Sequence, residues 1–275
     1  MKFVKMQGIG NDYIYIDAIN QEIYNRKELA KKISDRHFGI GADGMILICK
    51  STIADFKMEM YNSDGSQAEM CGNGIRCFGK FLYDNEFINK REIKVETACG
   101  IKTLYLNIKE NKVESVKVDM GEPILEAKKI PANIEKEIIK NFPLKIEEKE
   151  FKINCVSMGN PHTIIFTEDL KKINIEEDGS KIENSRYFPK KTNVEFAQIL
   201  DKNTVKVYVW ERGTGETLAC GTGACATVVA GIINNKLERS EIKVILKGGE
   251  LIVTWDKNNK IYLTGGATTV FKGEF

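Results

Sequence analysis

Histidine is nearly absent from this 275-residue chain: only His37 and His162 occur, which argues against a histidine-built metal centre. Neither sign of charge is in excess. The 41 basic and 39 acidic side chains leave a formal charge of +2, whereas nucleic-acid binders carry a clear basic surplus. No apolar run approaches the ~18 residues of a membrane span. The best is the short stretch Ala226–Ile233. At the N-terminus, MKFVKMQGIGNDYIYID is broken by polar residues too early for a signal-peptide core. The seven cysteines are odd in number and scattered, unlike a secreted disulfide framework. The expectation is a cytoplasmic protein with reduced thiols and with no nucleic-acid or membrane partner. What is present is a 42% hydrophobic content, enough to bury a sizeable core. The length suits one large domain or two ordinary ones.

The informative feature is an internal repeat. GIGNDYIYID, from Gly8, matches SMGNPHTIIF, from Ser157, so that Asn11 and Asn160 stand 149 residues apart. YNSDGSQAEMCGNGIRC, from Tyr61, matches WERGTGETLACGTGACA, from Trp210, at the same offset and pairs Cys71 with Cys220. The tetrapeptide EIKV recurs at Glu92 and Glu241, again 149 apart. A period this long means two copies of one domain, not a solenoid of units of roughly 20–50 residues. The segment Glu122–Glu150 has no counterpart in the other copy and holds Pro123, Pro131 and Pro143. It reads as the crossover, with a short amphipathic helix around Ile134–Ile139. Domains are expected at 1–121, joined by 266–275, and at 122–265.

Within each copy, strands come first, then an apolar helix, then hairpins. Lys2–Met6 and Tyr13–Asp17 read as strands, and Asn25–Ser34 as a helix with Leu29, Ala30 and Ile33 on one face. Ile101–Ile108 and Val113–Met120 alternate around a turn, and Ile242–Leu246, Glu250–Trp255 and Lys260–Leu263 form a matching meander. The segments after Cys71 and Cys220 are small and apolar, with little polar face. Each reads as a helix buried inside its own sheet, begun by a Cys-Gly-x-Gly turn.

A cysteine at a helix N-terminus meets unpaired N–H groups and a partial positive charge. Such a site binds carboxylate and lowers the pKa of the thiol. Gly72, Gly74, Gly221 and Gly223 clear side chains from the N–H groups. If the two copies face each other, one carboxylate is held between two helix ends with a sulfur on either side of its α-carbon. Inverting that carbon needs a base on one face and an acid on the other, which a thiolate and a thiol can supply. For a lone cysteine the default is packing; two that share a glycine-flanked motif and a repeat position point to chemistry. Cys49, Cys77, Cys99, Cys155 and Cys225 lack this setting and are expected to be core residues.

Other readings of these residues fit less well. The Cys71/Cys77 and Cys220/Cys225 spacings of six and five do not suit a zinc site, and neither motif is Cys-x-x-Cys. Gly39–Gly44 matches GxGxxG by letter, but an extended run follows it where a dinucleotide site needs a helix. With no cofactor motif, a cofactor-free mechanism without metal is expected. Among repeat-related polar positions, Asn11 pairs with Asn160, Asn62 with Glu211, and Gly44 with Asn193. Arg212 can clamp a carboxylate bidentately. Glu211 can receive an ammonium or tune a thiol, and His162 can tune a thiol, although a structural histidine is an ordinary alternative.

With MQGIGNDYIYID, DRHFGIGADG, YNSDGSQAEMCGNGIRC, MGNPH, TNVEF and ERGTGETLACGTGACA on the page, the chain resembles the diaminopimelate epimerases, PLP-independent amino-acid epimerases, over essentially its full length. The resemblance implies an α+β fold of two pseudo-symmetric domains. Each would be a mostly antiparallel sheet wrapped around a central helix, with the active site in the cleft between them. It implies interconversion of LL- and meso-2,6-diaminopimelate in lysine and peptidoglycan precursor biosynthesis, by a homodimer. The matching positions make Cys71 and Cys220 the acid/base pair. They assign substrate binding to Asn11, Asn62, Gly72, Asn73, Asn160, Asn193, Glu211, Arg212, Gly221 and Thr222, and thiol tuning to His162 and Glu211. In two places the sequence departs from the pattern. Gly44 stands where some members have a glutamine that contacts substrate, and Phe271 where the family's dimer interface has a tyrosine. Alternatives are a two-thiol racemase acting on lanthionine, histidine or proline, and, from another class, a silent binding protein or thiol sensor. Proline racemase-like enzymes typically carry His where Asn73 stands.

Overall fold

The computed structural model describes residues 1–68 and 70–275, which fall into two compact units. Unit 1 comprises Met1–Asp119 with Thr264–Phe275, and unit 2 comprises Met120–Leu263.

Unit 1 is built from β1 (Lys2–Gly8), β2 (Asn11–Asp17), α1 (Arg26–Ser34), β3 (Gly44–Cys49), β4 (Phe56–Asn62), β5 (Gln67–Ala68), α2 (Gly72–Asp84), β6 (Glu92–Thr97), β7 (Gly100–Lys109) and β8 (Lys112–Gly121). Most neighbouring strands are antiparallel. The parallel pairs are β2/β3 and β4/β6. Parallel neighbours need a crossover, and α1 and α2 supply them. The two helices take opposite faces of the sheet. Ile14 and Ile16 of β2 and Met45 and Leu47 of β3 pack with Ala30 and Ile33 of α1. From the other face of β2, Tyr15 donates its hydroxyl to the Gly74 carbonyl of α2, and Ile46 of β3 reaches the same glycine. With both faces covered, β3 is apolar throughout, as its sequence GMILIC requires. Gly79 of α2 sits against Leu104, Leu106 and Val116, so the sheet curls around this helix.

Unit 2 repeats the plan with β9 (Phe142–Ile146), β10 (Lys149–Ser157), β11 (Pro161–Phe166), α3 (Ile175–Glu183), β12 (Asn193–Asp201), β13 (Thr204–Glu211), β14 (Gly215–Thr217), α4 (Gly221–Ile233), β15 (Glu241–Leu246), β16 (Gly249–Trp255) and β17 (Ile261–Gly266). The helices α3 and α4 start and stop 149 residues after α1 and α2, and β15 does so after β6. The parallel pairs recur as β11/β12 and β13/β15. One strand enters each unit from outside the repeat. β9 pairs with β10 through Phe142 and Ile153, and β18 (Thr268–Glu274) pairs with β1 through Lys272 and Val4. Val4 and Ile153 are again 149 apart, so the chain's last strand takes the edge in unit 1 that β9 takes in unit 2.

Three readings change. The helix expected around Ile134–Ile139 does not form. The backbone there runs irregularly, and the Ile139 carbonyl accepts from the Cys155 N–H at 3.0 Å. Ile130, Ile134 and Ile139 all enter the core beneath α3, which an extended chain after Pro131 can reach. Cys99 is exposed, because it lies in the tight turn between β6 and β7 rather than on a strand face, whereas Cys49, Cys77, Cys155 and Cys225 are buried. Finally, α2 is less apolar inside than its sequence suggested. Arg76 is completely buried and Lys80 nearly so. Arg76 donates to the Gly72 and Gly266 carbonyls and to Asn73 Oδ1, and Lys80 to the Val113 carbonyl at 2.7 Å.

Candidate active site

The two Cys-Gly-x-Gly turns do begin the two central helices. Cys71 caps α2 with extended backbone (φ −129°, ψ 124°), and its sulfur accepts the Gly74 N–H at 3.4 Å. Cys220 caps α4 in nearly the same conformation (φ −124°, ψ 116°), with the Gly223 N–H at 3.4 Å. A thiol as N-cap uses one orphan N–H of the helix and leaves others for a ligand. Both glycines are needed. A Cβ on Gly74 would stand 2.8 Å from Ile46 Cδ1, and one on Gly223 2.5 Å from Glu195 Oε1.

Cys71 meets an amide. Its thiol donates to Asn11 Oδ1 at 3.1 Å, and Asn11 donates to Asp43 at 2.7 Å. Asp43 is tied to Arg36, which also grips Asp12 in a two-pronged pair, while Lys5 approaches Asp12 at 2.6 Å. Burial pushes Asp12 up, but Arg36 and Lys5 outweigh it and hold the carboxyl below its usual range. This charged group, unmarked by any repeat in the sequence, fixes the Asn11 amide. Burial and then the charge of Cys71 push the Tyr13 phenol well above its usual value. Asn73 is buried and accepts from Arg76, and Asn62 donates to Ser66. Gly44 pairs with Asn62, and a Cβ there would lie 2.2 Å from the Tyr61 carbonyl. This backbone therefore has no room for a side chain at position 44.

Around Cys220 the partners are ionisable. Its sulfur lies 3.4 Å from the Thr222 hydroxyl, which accepts from Asn160 at 3.3 Å. Asn160 Oδ1 meets His162 Nε2 at 3.1 Å, and His162 Nδ1 meets Glu195 Oε1 at 2.7 Å. Glu211, largely buried, accepts the Thr217 hydroxyl at 2.6 Å. Burial pushes the Glu211 carboxyl up, against the hydroxyl of Thr217 and the charge of His162. Burial, and then the Glu211 and Glu195 carboxylates, push the Cys220 thiol well above its usual value. The lowering expected from a helix N-terminus is thus outweighed here, because two nearby carboxylates and full burial disfavour a thiolate. Asn193 is buried, donates to the Pro161 carbonyl and receives the Arg212 N–H at 3.0 Å. The Arg212 side chain is exposed and donates to the Lys190 carbonyl at 3.4 Å. The turn that carries it is anchored from α3 by Glu183, which accepts from Gly213 N–H and from Trp210.

These features define a class: a duplicated α+β protein in which each copy sets a thiol on the first turn of its central helix. The same fold occurs in a probable proline racemase from Agrobacterium radiobacter, with a TM-score of 0.73 at 14% identity over 100% of this chain and 92% of that one. The family follows from sequence. The diaminopimelate epimerase family model matches residues 3–126 and 154–270, and the chain belongs to that family of isomerases. It is 53% identical to a diaminopimelate epimerase of Acetivibrio thermocellus, spanning 100% of this chain and 98% of that relative. It is 54% identical to one of Methanococcus maripaludis, over 100% and 99%.

Proposed function

We propose that this protein epimerises 2,6-diaminopimelate, interconverting the LL and meso forms, with Cys71 and Cys220 as its two acid/base groups. The observation that carries the reading is the pair of thiol caps, one at the start of each central helix, in a chain of this family. One thiol removes the α-hydrogen as a proton while the other delivers a proton to the opposite face, and the roles exchange in the reverse direction. Cys220 has a proton acceptor beside it in Glu211, raised by burial. Cys71 donates its S–H to an amide that cannot take a proton. Each thiol serves as base in one direction of turnover and as acid in the other. The N–H groups around Gly72, Asn73, Gly221 and Thr222 cradle the reacting carboxylate. Asn11, Asn62, Asn160, Asn193 and Glu211 orient the amino groups. Arg212 clamps the distal carboxylate, which favours a substrate with two amino-acid ends.

The protein acts in the cytoplasm as a homodimer that uses the edge strand β18. Its Phe271 is partly exposed and stacks edge-on against Phe3 at 5.9 Å. The test is exchange of substrate α-hydrogen in D₂O by purified protein, with LL-diaminopimelate, lanthionine and L-histidine in parallel. Exchange with LL-diaminopimelate well above the other two is expected. Preference for L-histidine would overturn the assignment.

A further inference from the structure

Among the described carboxylates of unit 2, Glu195 stands apart. It is fully buried, on the face of β12 that looks toward α4, and its Oε2 has no hydrogen-bond partner among the described residues. A buried carboxylate with an unused oxygen is costly, and a site keeps one only when something is gained. The fold itself does not ask for it. At the equivalent place in unit 1, 149 residues earlier, stands Ile46, which packs on Gly74 as Glu195 packs on Gly223. His162 likewise replaces Tyr13. The pair is therefore an addition to the duplicated scaffold, made at one thiol.

The hydrogen bonds give the addition a direction. An ionised carboxylate can only accept, so His162 Nδ1–H donates to Glu195 Oε1 at 2.7 Å. The Asn160 amide gives its NH₂ to Thr222 Oγ1, which leaves Oδ1 facing His162 Nε2 at 3.1 Å. An oxygen there requires Nε2 to donate as well. Thr222, having accepted from Asn160, has its own O–H left for the Cys220 sulfur at 3.4 Å. A hydrogen-bonded chain thus joins a buried carboxylate to a thiol: the imidazole donates to Glu195 on one side and, through Asn160 and Thr222, toward Cys220 on the other.

We propose that Glu195 is the positioning residue of the second thiol: it holds His162 with both ring nitrogens protonated, and through Asn160 and Thr222 it aims a hydrogen-bond donor at Cys220. The imidazolium then offsets the charge of the Cys220 thiolate during turnover. The ionisable groups packed around this chain are Glu211 on β13, Cys220 at the head of α4, Cys155 on β10 and Glu195 itself on β12. The inference rests on Cys220 being a catalytic thiol.

Two histidines in the whole chain make the experiment direct, because imidazole ¹⁵N shifts report His37 and His162 separately. In Glu195→Gln, which keeps the shape and loses the charge, His162 should give up its second proton at least one pH unit lower than in the unaltered enzyme. The alkaline limb of kcat/KM should move down with it, kcat should fall on the order of 10- to 100-fold, the scale of lost outer-shell support, and KM should barely change. Glu195→Ile, which installs the residue of the first copy, should lose more activity while the thermal midpoint holds or rises. An unmoved His162 titration and pH profile in Glu195→Gln, or full kcat in Glu195→Ile, would overturn the proposal. Cys220→Ala separates the two levels. If that variant still turns over, the two-thiol reading fails. If it is inert while Glu195→Gln behaves like the unaltered enzyme, only the role of Glu195 fails.

Discussion

The two thiols sit in matching backbone and in opposite surroundings. Both cap their helices with φ near −125° and both accept an N–H from the second glycine of the motif. Beside Cys71 the duplicated positions hold Tyr13, Ile46 and Asn62; beside Cys220 they hold His162, Glu195 and Glu211. Ser63 stands where the second copy has Arg212. Duplication gave a common cradle, and side-chain divergence set a tyrosine, an isoleucine and an asparagine at the positions where the other copy has a histidine and two glutamates. A symmetric scaffold can therefore serve a substrate whose two ends are treated differently.

The sharpest way to break the comparison is to remove either sulfur. Cys71→Ala and Cys220→Ala should each lose epimerisation by about 10²–10⁴-fold or more, the worth of a positioned acid or base. Steady-state turnover in both directions checks this, and a variant retaining full activity in either direction would end the two-base reading. Next comes the clamp present in one half. Arg212→Lys should raise KM about 10- to 100-fold with little change in kcat, because a charge-assisted hydrogen bond contributes ~1.5–3 kcal/mol. An unaltered KM would place the distal carboxylate elsewhere.

A third contrast concerns the glycines under each thiol. Gly223→Ala must displace the buried Glu195 carboxylate, whereas Gly74→Ala meets the flexible tip of Ile46. Overpacking should lower stability by roughly 1–3 kcal/mol, with Gly223→Ala the worse. Thermal or urea melts of the two variants give the order, and the reverse order would deny Glu195 its fixed place.

The smallest effect is alkaline. Burial pushes Cys49 and Cys77 in unit 1 up to about 11, and Cys155 in unit 2 up to about 12, from an ordinary value of 9.0. The folded chain keeps protons that the unfolded chain gives up, so this stability is fully present below pH ~9 and is lost as pH rises toward 11–12. Melting temperatures between pH 8 and 11 should fall, and Cys155→Ala should flatten the slope. A slope unaffected by that substitution would locate the alkaline loss in other groups.

Periodicity and pairwise matching made much of this protein legible before any coordinates. The 149-residue offset marked the duplication because copies of one domain keep their turn glycines and helix starts in register. The strands Lys2–Met6 and Tyr13–Asp17 and the buried helices after Cys71 and Cys220 followed from short-range pattern, which local sequence carries. The crossover departs from the expected helix because an apolar, Lys/Glu-rich stretch looks helical by composition whatever its tertiary surroundings. Whether Ile130, Ile134 and Ile139 share a core from an extended chain depends on surfaces contributed by residues far away in sequence. Cys99 shows the same limit at one position, since burial turns on which side of a hairpin tip a residue falls.

By itself the sequence determined the repeat, the two glycine-flanked thiols and the family, because these reside in residue order and spacing. Tertiary structure alone decided their electrostatics. Glu195 is a plain strand residue in TNVEF until β12 packs against α4 and presses its carboxylate between His162 and Gly223. Arg76 looks like a surface residue until the sheet closes over α2. The charge state of a thiol depends on what is within a few ångströms and on how much water has been excluded. Both are fixed only when distant segments meet.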